Sequence, residues 1–205
     1  MIIFVHIPKT GGTSIRMAAA EYFGESRMLY DYGAEAERTS PAVRKLFYEA
    51  DDPAALAEWI TTNDIAFISG HFKLARYTST LPDADVITWV RDPVERVRSL
   101  HAHRTEAHGL STSLDEFSER PRWRNGIAIQ AGDDPAAYTA VGVLDRHEES
   151  VTHINARLGI DLAVRHDNHG ADRDDIDDDL RAEILRRNPE DHTFVDAANS
   201  LLDAN

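Results

Sequence analysis

Residues 2–14, Ile2-Ile3-Phe4-Val5-His6-Ile7-Pro8-Lys9-Thr10-Gly11-Gly12-Thr13-Ser14, decide how this chain is read. The run 2–7 is apolar without alternation and short, the pattern of a parallel strand buried on both faces. It stops at Pro8 and the Gly11-Gly12 pair. Beyond the glycines, Ile15, Met17, Ala18, Ala19 and Tyr22 keep an approximately helical spacing that Gly24 closes. Strand, glycine turn and helix in that order make a cradle for an anion. The glycines let consecutive N–H groups turn towards one point, and the helix start adds its positive end. Lys9 adds a full charge, and Thr13 and Ser14 add hydroxyl donors. The lysine precedes the glycines, so the loop is not the nucleotide-kinase pattern GxxxxGK[ST].

The rest of the chain continues the alternation. Residues 65–69, 86–90 and 141–144 are short β-branched or aromatic runs that read as strands. Ser40-Pro41 reads as a cap with proline at the first helical position, opening one helix to about Thr61. Asp92-Pro93 repeats that signature and opens a helix through Val94, Val97 and Leu100. A helix over 148–158 stops at Gly159. Residues 172–179 hold six aspartates ahead of Leu180, Ile184 and Leu185. A calcium loop would need glycine where Asp177 stands and a ligand where Ile176 stands, so a solvated helix start is expected. Pro189 ends that helix, and a last one covers 190–203. The expectation is one α/β domain over residues 1–205 with a mainly parallel central sheet.

Composition narrows the function classes. Thirty-six acidic against 22 basic side chains leave a net charge of −14, which disfavours a nucleic-acid-tracking face. The basic residues are nearly all arginine, with lysine only at 9, 45 and 73. Without cysteine there is no disulfide, thiolate metal site or thiol nucleophile. No apolar run approaches the ~20 residues of a membrane span, and the N-terminus lacks a basic, cleavable leader. A cytoplasmic protein is expected.

The stretch from Pro8 to Ser14 resembles the 5′-phosphosulfate loop of sulfotransferases that use 3′-phosphoadenosine 5′-phosphosulfate (PAPS). The likeness is greatest to the branch of the carbohydrate 2-O- and 6-O-sulfotransferases and their short bacterial relatives. Val90-Arg91-Asp92-Pro93-Val94-Glu95-Arg96-Val97-Arg98-Ser99 is similar to that family's 3′-phosphate segment. Ser69-Gly70-His71-Phe72 resembles the strand end that carries a catalytic histidine, and residues 141–150 resemble the segment entering the helix after the last strand. The resemblance implies a P-loop-containing nucleotide-hydrolase-like three-layer fold. It also implies PAPS as sulfuryl donor with no metal, and release of adenosine 3′,5′-bisphosphate (PAP). Lys9, Thr10, Gly11, Gly12, Thr13 and Ser14 would hold the 5′-phosphate, and Arg91 and Ser99 the 3′-phosphate. Lys9 would neutralise the leaving oxygen, and His71 would be the base. The acceptor would be a hydroxyl-bearing small molecule, a sugar or a glycolipid.

The chain departs from the family over residues 125–132, where Ile129 stands near an expected arginine. That departure favours a catalytically weak PAPS- or PAP-binding module as an alternative. A phosphotransferase using ATP or GTP is the other. Glu106, Asp145 and His6 are fallback bases, with His6 read first as a structural hydrogen-bonding residue. His101, His103 and His108 suggest a metal, but 101 and 108 share a helix face while 103 points elsewhere, so exposed histidines are expected. Residues 119–124 form a basic island, read as an arginine-rich turn packing Trp123.

Overall fold

The computed structural model describes residues 1–165 and 176–204. Its centre is a sheet of five strands: β1 Ile2–Val5, β2 Met28–Asp31, β3 Phe67–Gly70, β4 Asp85–Val90 and β5 Ala140–Val143. Their order is β2-β3-β1-β4-β5, and every pairing is parallel. β1 lies in the middle, with Ile2 opposite both Phe67 and Asp85. Neighbours on both edges and helices on both faces explain why its residues are all buried and why no alternation shows in the sequence.

The helices in chain order are α1 Gly12–Phe23, α2 Pro53–Thr62, α3 Ala75–Thr78, α4 Pro93–His108, α5 Leu114–Glu119, α6 Gly126–Ala131, α7 His147–Leu158, α8 Asp178–Arg187 and α9 Pro189–Asp203. On one face, Ile15, Ala18 and Ala19 of α1 and Val151 and Ile154 of α7 cover Phe4, Phe67, Ile87 and Trp89. On the other, Leu56 and Ile60 of α2, Ile127 of α6 and Phe194, Val195 and Ala198 of α9 cover Ile3, Val5, Ile68, Val90 and Val141. Two helical layers thus enclose the sheet. Val94, Val97, Phe117 and Ile184 form a smaller core among α4, α5 and α8.

Two elements differ from the sequence expectation. The single helix expected from Ser40 to Thr61 is two. A π-helical segment over Val43–Glu49 ends before Asp51, which takes φ 50°. Asp52 then caps α2, its carboxylate accepting the Ala55 N–H at 2.9 Å, with Pro53 at the first position. Proline disfavours a helical residue before it, so the chain has to restart there. The Ser40 hydroxyl caps nothing; it accepts the Tyr30 N–H at 2.9 Å. β2 was not expected at all. Met28-Leu29-Tyr30 is too short to stand out, and the strand ends in a buried aspartate.

α4 starts at its expected cap, with Asp92 accepting the Glu95 N–H at 2.9 Å, and runs on to His108. Asp177 caps α8 through the Leu180 N–H at 2.7 Å; Asp172, Asp174 and Asp175 lie outside the described residues. No helix among the described residues is long and apolar enough to cross a membrane.

Candidate functional site

A cleft of about 1550 Å³ opens beyond the C-terminal ends of β1, β3, β4 and β5, where parallel sheets place their ligands. Lys9, Gly11, Gly12, Thr13 and Ser14 line it from one side, Arg91 and Ser99 from another, and His71 from β3. Thr10 is not among the lining residues. Thr10 is fully buried, and its hydroxyl donates to the Ile7 carbonyl at 2.9 Å, so its side chain braces the loop from inside.

The loop's shape explains its glycines. Lys9 takes a left-handed φ of 71° and Gly11 one of 88°, and together they reverse the chain into α1. Such a conformation at a lysine costs about 1 kcal/mol or more and persists only where its surroundings hold it. A Cβ on Gly11 would meet Leu144 at 2.6 Å. No acidic residue occupies the first turn of α1, so the helix carries no carboxylate of its own against its positive end.

Arg91 leaves β4 with its side chain 20% exposed and a loose ion pair to Glu95 at 3.7 Å. Its Nε is buried with no hydrogen-bond partner among the described residues. A guanidinium in that state suits a phosphate, whose oxygens accept what Glu95 leaves unmet. Ser99, two turns into α4, is buried and borders the cleft. The residues present therefore fit a nucleotide with phosphates at both ends. Arg104, Arg146 and Arg165 add positive charge, and Glu106, Asp145, Glu148 and Glu149 oppose it.

His71 is exposed, with its ring against Tyr32 at 4.6 Å and His6 at 4.8 Å. Its Nδ1 lies 2.6 Å from the His6 carbonyl oxygen. A carbonyl only accepts, so Nδ1 carries the proton and Nε2 keeps its lone pair. Protein packed around the ring lowers its pKa below the usual 6.5, partly offset by that hydrogen bond, so the imidazole is neutral at pH 7. His6 is neutral too, its pKa pushed down to about 3 by burial and then by His71, Arg16 and Arg38. Among the fallback bases, Glu106 and Asp145 line the cleft, and the Asp145 carboxyl is raised, chiefly by the protein around it.

Sequence reasoning missed the support beneath His71. Asp31, at the end of β2, is 1% exposed and accepts from Tyr48 at 2.7 Å, Tyr77 at 2.8 Å and Arg76 at 3.2 Å. Its carbonyl takes the His71 N–H at 2.9 Å. Gly70 permits that approach, because a Cβ there would collide with the same carbonyl. The only sequence signal was an aspartate after three apolar residues.

The other candidates sort themselves. His103 and His108 come together, ring centres 6.4 Å apart, while His101 bonds the Thr112 carbonyl at 2.7 Å, the reverse of the expected pairing. Among the described residues no three histidines or carboxylates converge for a metal. Arg104 and Arg122 cover Trp123 at 5.0 and 4.5 Å, so residues 119–124 are the arginine-rich turn that was expected. Ile129 is 52% exposed and lines no part of the cleft. Its helix is held by Asp191, which accepts the Ile127 and Ala128 N–H groups and pairs with buried Arg96 at 3.4 Å.

No protein-family model and no curated protein matches the chain. Solved structures do. A sulfotransferase from Alicyclobacillus acidocaldarius superposes with a TM-score of 0.56, over 98% of this chain and 95% of that one, at 16% identity. This chain has the sulfotransferase fold. Mouse sulfotransferase SULT7A1, solved in complex with PAP, matches 90% of this chain at a TM-score of 0.50 and 15% identity. This chain spans 62% of the mouse protein's length. That shared architecture is three-layered, a parallel sheet between two layers of helices, as the resemblance implied.

Proposed function

We propose that this protein transfers a sulfuryl group from PAPS to a hydroxyl acceptor and releases PAP. The observation that carries the reading is that one cleft collects the Lys9–Ser14 loop, the Arg91–Ser99 segment and the free Nε2 of His71. Bound PAPS supplies an activated sulfuryl group on its 5′-phosphate. Lys9 and the amides of Gly12 and Thr13 hold that phosphate, and Lys9 offsets the charge gathering on its bridging oxygen as the bond to sulfur breaks. Arg91 and Ser99 hold the 3′-phosphate. His71 takes the acceptor's proton on Nε2 while the new sulfur–oxygen bond forms. Positioning and charge stabilisation dominate, by analogy with phosphoryl transfer. The acceptor is a hydroxyl-bearing small molecule, a sugar or a glycolipid.

Calorimetry tests the nucleotide half. PAP is expected to bind about ten- to a hundredfold more tightly than adenosine 5′-monophosphate, the worth of a charge-assisted contact, and Arg91→Ala should shrink the difference. Equal affinity in the wild type would remove the 3′-phosphate assignment and favour an ATP- or GTP-dependent phosphotransferase. Labelled PAPS offered with an acceptor library tests the transfer half, and PAP binding without any turnover would mark a binding module.

A further inference from the structure

His6 ends β1 just before the loop and borders the cleft, yet the mechanism above gives it no task. Its ring stacks on Phe4 at 5.4 Å. Nδ1 lies 3.0 Å from the Tyr32 hydroxyl, which lies 3.4 Å from the Ser69 hydroxyl. Either direction of donation meets both contacts; with Ser69 donating to Tyr32 and Tyr32 donating to Nδ1, Nδ1 accepts. A neutral imidazole has one donor and one acceptor, so an accepting Nδ1 puts the proton on Nε2. That edge faces the loop: a Cβ on Gly12 would meet Cδ2 at 2.5 Å and Nε2 at 2.8 Å. Gly12 is the first residue of α1, whose amides make the anion cradle. Among the described residues Nε2 has no hydrogen-bond partner.

We infer that His6 is a further catalytic residue, a neutral donor whose Nε2–H bonds an oxygen of the phosphosulfate group in the loop, and that Tyr32 is the positioning residue selecting this tautomer. The inference rests on the proposed function for the identity of the anion; the donor geometry holds for any phosphate or sulfate there. Burial and the neighbouring charges of His71, Arg16 and Arg38 keep the ring uncharged. His6 keeps its proton throughout and stabilises charge on the oxygen it touches, while the acceptor's proton goes to His71. A donor fixed in a water-poor site acts without reorganising, which is where such contacts contribute most.

Nitrogen-15 NMR of histidine-labelled full-length protein tests this without turnover. His6 is expected as the Nε2–H tautomer from pH 8 to 5, and adding PAP or inorganic sulfate should shift Nε2 and slow exchange of its proton. An Nδ1–H tautomer, or an Nε2 signal that PAP binding leaves unmoved, overturns the inference while the proposed function stands. A signal that moves with sulfate when PAP does not bind supports the donor and defeats the sulfuryl reading. Kinetics adds a second arm. Asparagine mimics only Nδ1, so His6→Asn should lose ~10²–10³ in kcat with PAP affinity within a few-fold. Glutamine places an amide N–H near Nε2, so His6→Gln should lose no more than about tenfold. Folded variants that fall equally would also overturn it.

Discussion

Acidification should destabilise the protein through His6 in a way that a single substitution removes. The ring is 7% exposed, and its pKa is about 3 against 6.5 when unfolded. A group whose native pKa lies below its unfolded value is protonated first in the unfolded chain. Stability from its neutral form is therefore complete above pH 6.5 and is lost as pH falls towards 3. Between those limits the loss is about 1.4 kcal/mol per pH unit, hence about 2.7 kcal/mol by pH 4.5. Against a domain stability on the order of 5–15 kcal/mol this is large. Carboxylates titrate in the same range, so the informative quantity is the difference between wild type and His6→Gln, which keeps the carboxylates and lacks the imidazole. Urea unfolding at pH 7.0, 6.0, 5.0 and 4.5 gives that difference directly. The variant should be less stable at pH 7, having lost the stack on Phe4, and should close the gap by ~1.4 kcal/mol per unit below pH 6. A gap constant from pH 7 to 4.5 would refute the reasoning, because it would mean that His6 is protonated equally in both states.

Since the His71 pKa is lowered, the acidic limb of kcat/KM should fall below pH 6.5, and His71→Ala should cost ~10²–10⁴ in turnover with little change in PAP affinity. A limb at or above 6.5, or one that survives the substitution, would assign the base elsewhere. Lys9→Ala should cut kcat by ~10²–10³ and weaken PAP binding less, with EDTA leaving the wild-type rate unchanged; near-normal turnover at saturating PAPS would make Lys9 a binding residue only. Gly70→Ala forces a Cβ into the Asp31 carbonyl that receives the His71 N–H, so urea unfolding should report a loss of about 1–3 kcal/mol or more. Wild-type stability in that variant would mean β2 and β3 are not held at this spacing.

The strand–loop–helix turn after β1 and the helix that follows Arg91 were legible from the sequence because their geometry is local. A glycine pair between a strand and a helix turns consecutive amides to one point, and Asp92-Pro93 starts a helix that carries Ser99 at a set distance from Arg91. The parallel sheet followed from β1, whose unbroken apolar run only a doubly covered strand explains. Tertiary structure alone decided which of three similar hydroxyls serve the cleft. Thr10 turns to the Ile7 carbonyl while Thr13 and Ser14 line the cleft, a difference of packing that residue type does not encode. It also decided what surrounds the two histidines. His71 receives its tautomer from a carbonyl 65 residues away, and His6 meets a tyrosine beyond an undetected strand. Protonation state depends on burial and on which dipoles and charges come within a few ångströms, and in a parallel sheet those neighbours come from crossovers tens of residues long.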